Sequence, residues 1–227
     1  MATESKRVGV GYLAVAGGVL GLLLAPAMVT IKYMTGWAVV PEPMWVGAAR
    51  RAMAALLPTA TPVHLWVLFG TGYTVALLLM LFGVLRMRRQ VLGAESRLVT
   101  VGYWVVVVGL CLVIPGDAVH TWTWHQNGLT TPTPRTNPLA NTAYAVHMMG
   151  MNLVMVGSMV AGVAAVRGKR VARWLAWSFV LIFPSAVIAS LTVLPTTPSG
   201  ALWFFSIMLV AYGYEVARGR EGHLAAA

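Results

Sequence analysis

Long apolar runs separated by short polar stretches alternate along the whole chain, and six of them approach or exceed the length of a membrane crossing. A helix needs about 20 apolar residues to cross the ~30 Å hydrocarbon core of a bilayer. The runs therefore predict transmembrane helices over roughly 8–31, 62–85, 98–120, 138–166, 174–194 and 201–216. Lys6 and Arg7 before the first run give it the look of a signal peptide. Its apolar stretch is longer than the 7–15 residues of an ordinary signal, so it reads as a retained first helix. Thr61-Pro62 and Asn137-Pro138 each place a capping residue before a proline at the first helical position, a sharp start signal. Pro26 is expected to kink the first helix, and Pro115-Gly116 to kink or break the third near Ile114. Residues 121–137, rich in Thr, Pro and Asn, read as an irregular loop, and Pro195 to Gly200 as a tight connection. Within the loop 33–61, Met44 to Leu57 predicts a short interfacial helix. Trp45, Ala49, Ala52 and Leu56 would face lipid, and Arg50 and Arg51 would face water. Gly17-xxx-Gly21 and Ser158-xxx-Gly162 are spacings that permit close helix contact. The expected fold is all-α: one integral membrane domain over residues 1–227, built as a six-helix transmembrane bundle.

Charge gives this bundle a direction. Twelve basic residues (Lys6, Arg7, Arg86, Arg88, Arg89, Arg97, Arg167, Lys169, Arg170, Arg173, Arg218, Arg220) fall on one side, and four (Lys32, Arg50, Arg51, Arg135) on the other. The positive-inside rule then predicts cytoplasmic N- and C-termini, and a bacterial plasma membrane is the expected location. Trp104, Trp174, Trp177 and Tyr214 fit an inner aromatic belt, and Trp37, Trp66, Trp122, Trp124 and Trp203 an outer one. The net charge of +10 does not point to nucleic acid, because the basic residues sit in short clusters between apolar runs. Only 10% of residues are charged, against about 25% in soluble domains. The single cysteine, Cys111, excludes an intrachain disulfide, a CxxC pair and an all-thiolate metal site.

Against this background the polar residues of one half of the protein stand out. His64, Asp117, His120, His125 and His147, from three helix ends and one loop, are all expected near the outer face. Ionisable groups at membrane depth call for a partner or a function. Asp117 and His120 are three apart and share a helical face. His147, nine residues past Pro138, sits ~13 Å along its helix. Imidazole with carboxylate suits copper, zinc or iron, and Asp117 has an alternative role in orienting a ligating histidine. His147, Met151, Met155 and Met159 form one stripe down the fourth span. Thioethers suit Cu(I), although a methionine stripe is more often packing. His223 lies in a polar tail and reads as solvated.

Trp124-His125-Gln126, followed by a loop and by His147-xx-Gly150 opening the next helix, with Asp117 upstream, resembles the Asp…His…His region in the C subunit of copper membrane monooxygenases, the particulate methane and ammonia monooxygenase family. The resemblance covers about 35 residues. It implies copper held by Asp117, His147 and one of His120 or His125, and partner membrane subunits. Asp117 stands seven residues before Trp124, farther than in the family pattern; the loop between the histidines is longer, and His120 is an additional donor.

The expected function is thus a metal-binding integral membrane protein, with copper first, as a subunit of a membrane oxidoreductase. Its partners would be the lipid bilayer and other membrane subunits, with no role for nucleic acid. Haem b between His64 and His147 is an alternative without any CxxCH motif. Others are a non-catalytic accessory subunit and a zinc hydrolase, the last weakened by the lack of HExxH. No lysine lies deep in a late span, which argues against a retinal Schiff base, and no phosphate-binding glycine loop is present.

Overall fold

The computed structural model describes residues 2–35, 42, 44–91, 97–126, 137–168, 173–192 and 198–217. Trp37, Arg135, Lys169, Arg170, residues 195–197 of the last connection, Arg218, Arg220 and His223 lie outside the described residues. All regular structure within them is helical: α1 (Ala2–Met34), α2 (Met44–Leu56), α3 (Pro62–Val91), α4 (Arg97–Gln126), α5 (Pro138–Gly168), α6 (Arg173–Thr192) and α7 (Pro198–Ala217). Four stretches, Gly11–Met34, Pro62–Arg86, Arg97–Gln126 and Pro138–Arg167, are long and apolar enough to cross a membrane. Large apolar side chains such as Leu68, Phe82, Val101, Val108, Leu181 and Ile188 are exposed on the bundle's exterior. In water such a surface would be a liability; in lipid it is the solvated face.

The start signals hold. The Asn137 side chain accepts the Ala140 N–H at 2.9 Å, and the Thr61 hydroxyl accepts the His64 N–H at 3.3 Å. Of the kink or break expected at Pro115-Gly116, no break occurs. α4 passes through Pro115 and runs to Gln126, so 121–126, expected as loop, are its last turns. A proline inside a helix removes one backbone donor, which the local packing tolerates when the freed carbonyl is satisfied or shielded. At Pro26 of α1 a substitute donor is visible. The carbonyl four residues earlier, Leu22, accepts the Trp203 indole N–H of α7 at 3.2 Å. Pro198 likewise opens α7 instead of belonging to a turn.

The six long helices close a ring in which α1 touches α3, α3 touches α4, and so on through α5, α6 and α7 back to α1. Glycines set the closest approaches. On α4, Gly102, Gly109 and Gly116 recur every seventh residue; on α5, Ala143, Gly150, Gly157 and Ala164 do the same, running antiparallel. A methyl group added at Gly109 would lie 2.7 Å from the Gly150 carbonyl oxygen, and one at Gly157 would lie 2.7 Å from the Gly102 carbonyl oxygen. The two backbones are therefore in direct contact, close enough for Cα–H···O attraction, with the methyls of Val106, Val113 and Val154 packed against the same glycines. The four-residue spacings noted in the sequence act elsewhere: Gly17 abuts the α3 backbone at Met80, and Gly162 abuts α6 at Phe179 and Val180.

α2 lies across one end of the ring against α1. Its buried residues are Val46 and Met53; Ala52 and Leu56, expected to face lipid, are exposed, and Arg50 pairs with Glu42 at 2.8 Å. Met53 joins Ala27, Met28, Ile31, Leu65, Trp66 and Trp124 in a compact apolar cluster. Trp66 and Trp124 are fully buried and stacked, with ring centroids 5.1 Å apart, so they are core residues and not part of an aromatic belt.

Substituting valine at Gly109 should lower thermal stability in detergent by more than the ~1–3 kcal/mol of ordinary overpacking, because the clash is with backbone. Alanine at Gly47, whose Cβ would meet nothing nearer than 3.8 Å, should be neutral or stabilising by up to about 1 kcal/mol. Melting curves of the two variants side by side check this.

Candidate functional site

The glycine seam also builds the polar centre. Gly116 meets the α5 backbone at His147, where an added methyl would lie 2.8 Å from the His147 nitrogen. Asp117, the next residue, is thereby carried against the His147 side chain, and Asp117 Oδ1 lies 3.8 Å from His147 Nδ1. That distance is beyond a hydrogen bond. It is a few tenths of an ångström wider than the ~3.4 Å separating two donors of a tetrahedral ion at about 2.1 Å. The other carboxylate oxygen, Oδ2, accepts the Thr74 hydroxyl of α3 at 2.8 Å. The same hydroxyl is 3.1 Å from the Gly70 carbonyl and has one proton to give, so it serves one acceptor at a time.

Asp117, His120 and His147 are all buried. His120, one turn past Asp117 on the same face of α4, sits in an aromatic box. Its ring centroid is 5.5 Å from Trp124, 5.6 Å from Tyr144 and 6.2 Å from Trp66. The Ala140 backbone is nearby, but not at hydrogen-bond geometry. Neither ring nitrogen of His120, and neither of His147, has a hydrogen-bond partner. Each buried, unpartnered polar atom costs about 1–3 kcal/mol. Among the described residues, no three His, Cys, Asp or Glu side chains are grouped closely enough to hold one metal ion.

The other two candidate histidines lie apart from this centre. His125 is exposed on the last turn of α4, its ring 6.2 Å from Trp122. His64 is exposed in the first turn of α3 and acts in a reciprocal cap. Its backbone N–H goes to the Thr61 hydroxyl, while its Nδ1 stands 3.1 Å from that hydroxyl and accepts the Thr61 N–H at 3.5 Å. Imidazole here takes the place that Glu or Gln holds in a capping box. Of the methionine stripe, Met151 and Met155 are buried in the main apolar core, which is the packing role.

Three members of the centre are missing from the sequence expectation. Lys32, counted there as an outer-loop cation, lies in the last turn of α1, and its side chain is buried. Its ammonium interacts electrostatically with Asp117, His120 and His147. Tyr73, on α3, is buried with a hydroxyl that has no hydrogen-bond partner, and it interacts with the Asp117 charge. Thr74 is the third. The one available signal was Lys32 itself, following an apolar run by a single position with no second cation beside it.

No family model, curated protein or solved structure matches this chain.

Removing Lys32 alone, as Lys32→Met, should destabilise the fold, because the buried Asp117 carboxyl loses a favourable nearby cation. Lys32→Met combined with Asp117→Asn should recover most of that loss. A double-mutant cycle on thermal unfolding in detergent measures the coupling. Independence of the two sites would show that the charges do not act as a pair.

Proposed function

We propose that this chain is a copper-binding integral membrane protein acting as a subunit of a membrane oxidoreductase, and that the metal is held at the Asp117–His147 centre. The observation that carries this reading is the set of four unpartnered imidazole nitrogens, on His120 and His147, buried beside a carboxylate. A neutral imidazole carries one lone-pair nitrogen and one N–H, so an ion would satisfy one nitrogen of each ring, and an imidazole–carboxylate set suits copper well. Asp117 and His147 supply two donors. The third has to move in, and His120, one turn from Asp117, is the donor of choice. The short resemblance to the copper membrane monooxygenase C subunit implies Asp117, His147 and one of His120 or His125. His64 is less suited to ligate a haem with His147, since its Nδ1 is engaged in the α3 cap.

The same proposal extends to topology. α6 and α7, 20 residues each, are ~30 Å long and close the ring with the four longer helices. Counted as spans, they give six crossings, with the polar centre towards the outer face and both termini in the cytoplasm. Reporter fusions at the C-terminus and in the 127–136 loop should give opposite signals, cytoplasmic for the first. The same side for both would refute an odd number of crossings between them.

A second reading is favoured by one observation, the electrostatic partnership of Lys32 with Asp117. A lysine ammonium beside the acid opposes a bare cation, as expected of a charge-paired centre that holds helices together in an accessory subunit. Elemental analysis of the detergent-purified protein separates the two. Near-stoichiometric copper in the wild type, lost in His147→Ala, is the expected result. No copper in either protein, even after reconstitution, would leave the structural centre as the answer, and zinc would reopen a hydrolytic role.

A further inference from the structure

We propose that the exposed face of α5 is the contact between two copies of this chain, held by a reciprocal pair of hydrogen bonds between their Asn152 carboxamides. The proposal is independent of the copper reading and needs no metal. Asn152 lies in the middle of the apolar span Pro138–Arg167, ~21 Å along the helix from Pro138 and ~22 Å from Arg167. Its side chain is exposed. At ~100° per residue it is turned about 140° around α5 from the buried His147, so it is no part of the polar centre. It is turned about 200° from Gly150 and faces away from the α4 seam.

A carboxamide brings two N–H donors and an acceptor oxygen, and that of Asn152 has no hydrogen-bond partner among the described residues. Other polar groups at the exterior are satisfied within their own helix. The Thr142 hydroxyl donates to the Pro138 carbonyl at 2.9 Å, and the Ser178 hydroxyl to the Trp174 carbonyl at 2.8 Å. The Asn152 oxygen has no such route, because every N–H in the middle of a helix already serves the carbonyl four residues earlier. Hydrocarbon offers no donor either, and an unpaired amide at that depth is costly.

Ala145, Met149 and Val156 are exposed together with Asn152, so the four positions follow one another at spacings of four, three and four residues. That is the seam spacing of a left-handed helix pair, in which a single asparagine fixes register and the number of strands. The occupant follows from the group itself. Copies of one chain insert into a membrane in the same orientation, so a twofold axis between them runs along the membrane normal and the two α5 helices lie parallel and in register. Asn152 then meets Asn152, and each carboxamide donates one N–H to the oxygen of the other. Symmetry matches donor to acceptor without a partner of different chemistry.

The test uses the full-length chain in native membranes. Cys111→Ser removes the lone native cysteine, and Met149→Cys then places a thiol on the proposed seam. Val75→Cys, on the exposed face of α3, is the control for random collision. Iodine, an apolar oxidant that enters lipid, forms the disulfide, and its rate is read on a non-reducing gel. The expected result is a cross-linked product of two chains at position 149, formed much faster than at position 75. Adding Asn152→Leu should slow it about tenfold or more, the effect of losing hydrogen bonds between helices in lipid, and Asn152→Gln, which keeps the carboxamide, should slow it less. A rate at 149 no greater than at 75, or one indifferent to Asn152→Leu, overturns the proposal. A product of any mass other than two chains places a different subunit on this face and overturns it as well. Folding is not at issue in these variants, because the Asn152 side chain is exposed in the single chain.

Discussion

Backbone contact between α4 and α5 is the constraint on which the rest of this structure depends. With glycine at 102, 109, 116, 150 and 157, the two helices approach until carbonyl oxygens face the opposing chain at distances where no Cβ fits. Lipid supplies no hydrophobic drive between helices, so such pairs are held by dispersion, weak Cα–H···O bonds and the gain from releasing lipid. The walls of the seam are opposing backbone and the methyls of Val106, Val113 and Val154. It fixes the register of α5 against α4, and with it the position of every side chain along both edges.

The polar centre is a consequence of that register. Gly116 touches the His147 backbone, so Asp117 must emerge beside the His147 ring. A slide by one helical turn would move the carboxylate about 5.4 Å along the seam and separate the pair. α3 docks on the other side of α4, with Gly70 against Thr121, and the Trp66 indole donates to the Thr121 carbonyl at 3.2 Å. This docking supplies Thr74 to Asp117 and lays Trp66 and Trp124 beside His120. α1, packed through its own glycines, delivers Lys32. The centre is thus assembled by four helices whose contacts elsewhere are almost wholly apolar, and α2 covers it through Met53.

Within this centre the charges and the unpartnered atoms have different standing. Lys32 and Asp117 offset one another, as buried ions must. The imidazole nitrogens of His120 and His147 and the Tyr73 hydroxyl are unpartnered. A membrane bundle could have carried apolar residues at those three positions without that cost.

The sequence by itself determined the helices and their apolar character. Long apolar runs admit no other structure in lipid, and a cap followed by proline marks Thr61 and Asn137 because those signals are local. It also picked out Asp117, His120 and His147, since ionisable residues inside apolar runs are conspicuous. Only the tertiary structure decided which of them meet. His64 became a cap and His125 a surface residue, though their side chains have the same chemistry as that of His147, because helix register and facing depend on the whole ring. Pro115 failed to end α4 because its effect is set by packing around the helix and not by the dipeptide. Lys32 looked like a loop cation because one more turn of α1 separates an exposed end from a buried position. The seven-residue glycine repeat was present in the sequence throughout; what gave it meaning was the antiparallel partner on α5, and a single helix does not specify its partner.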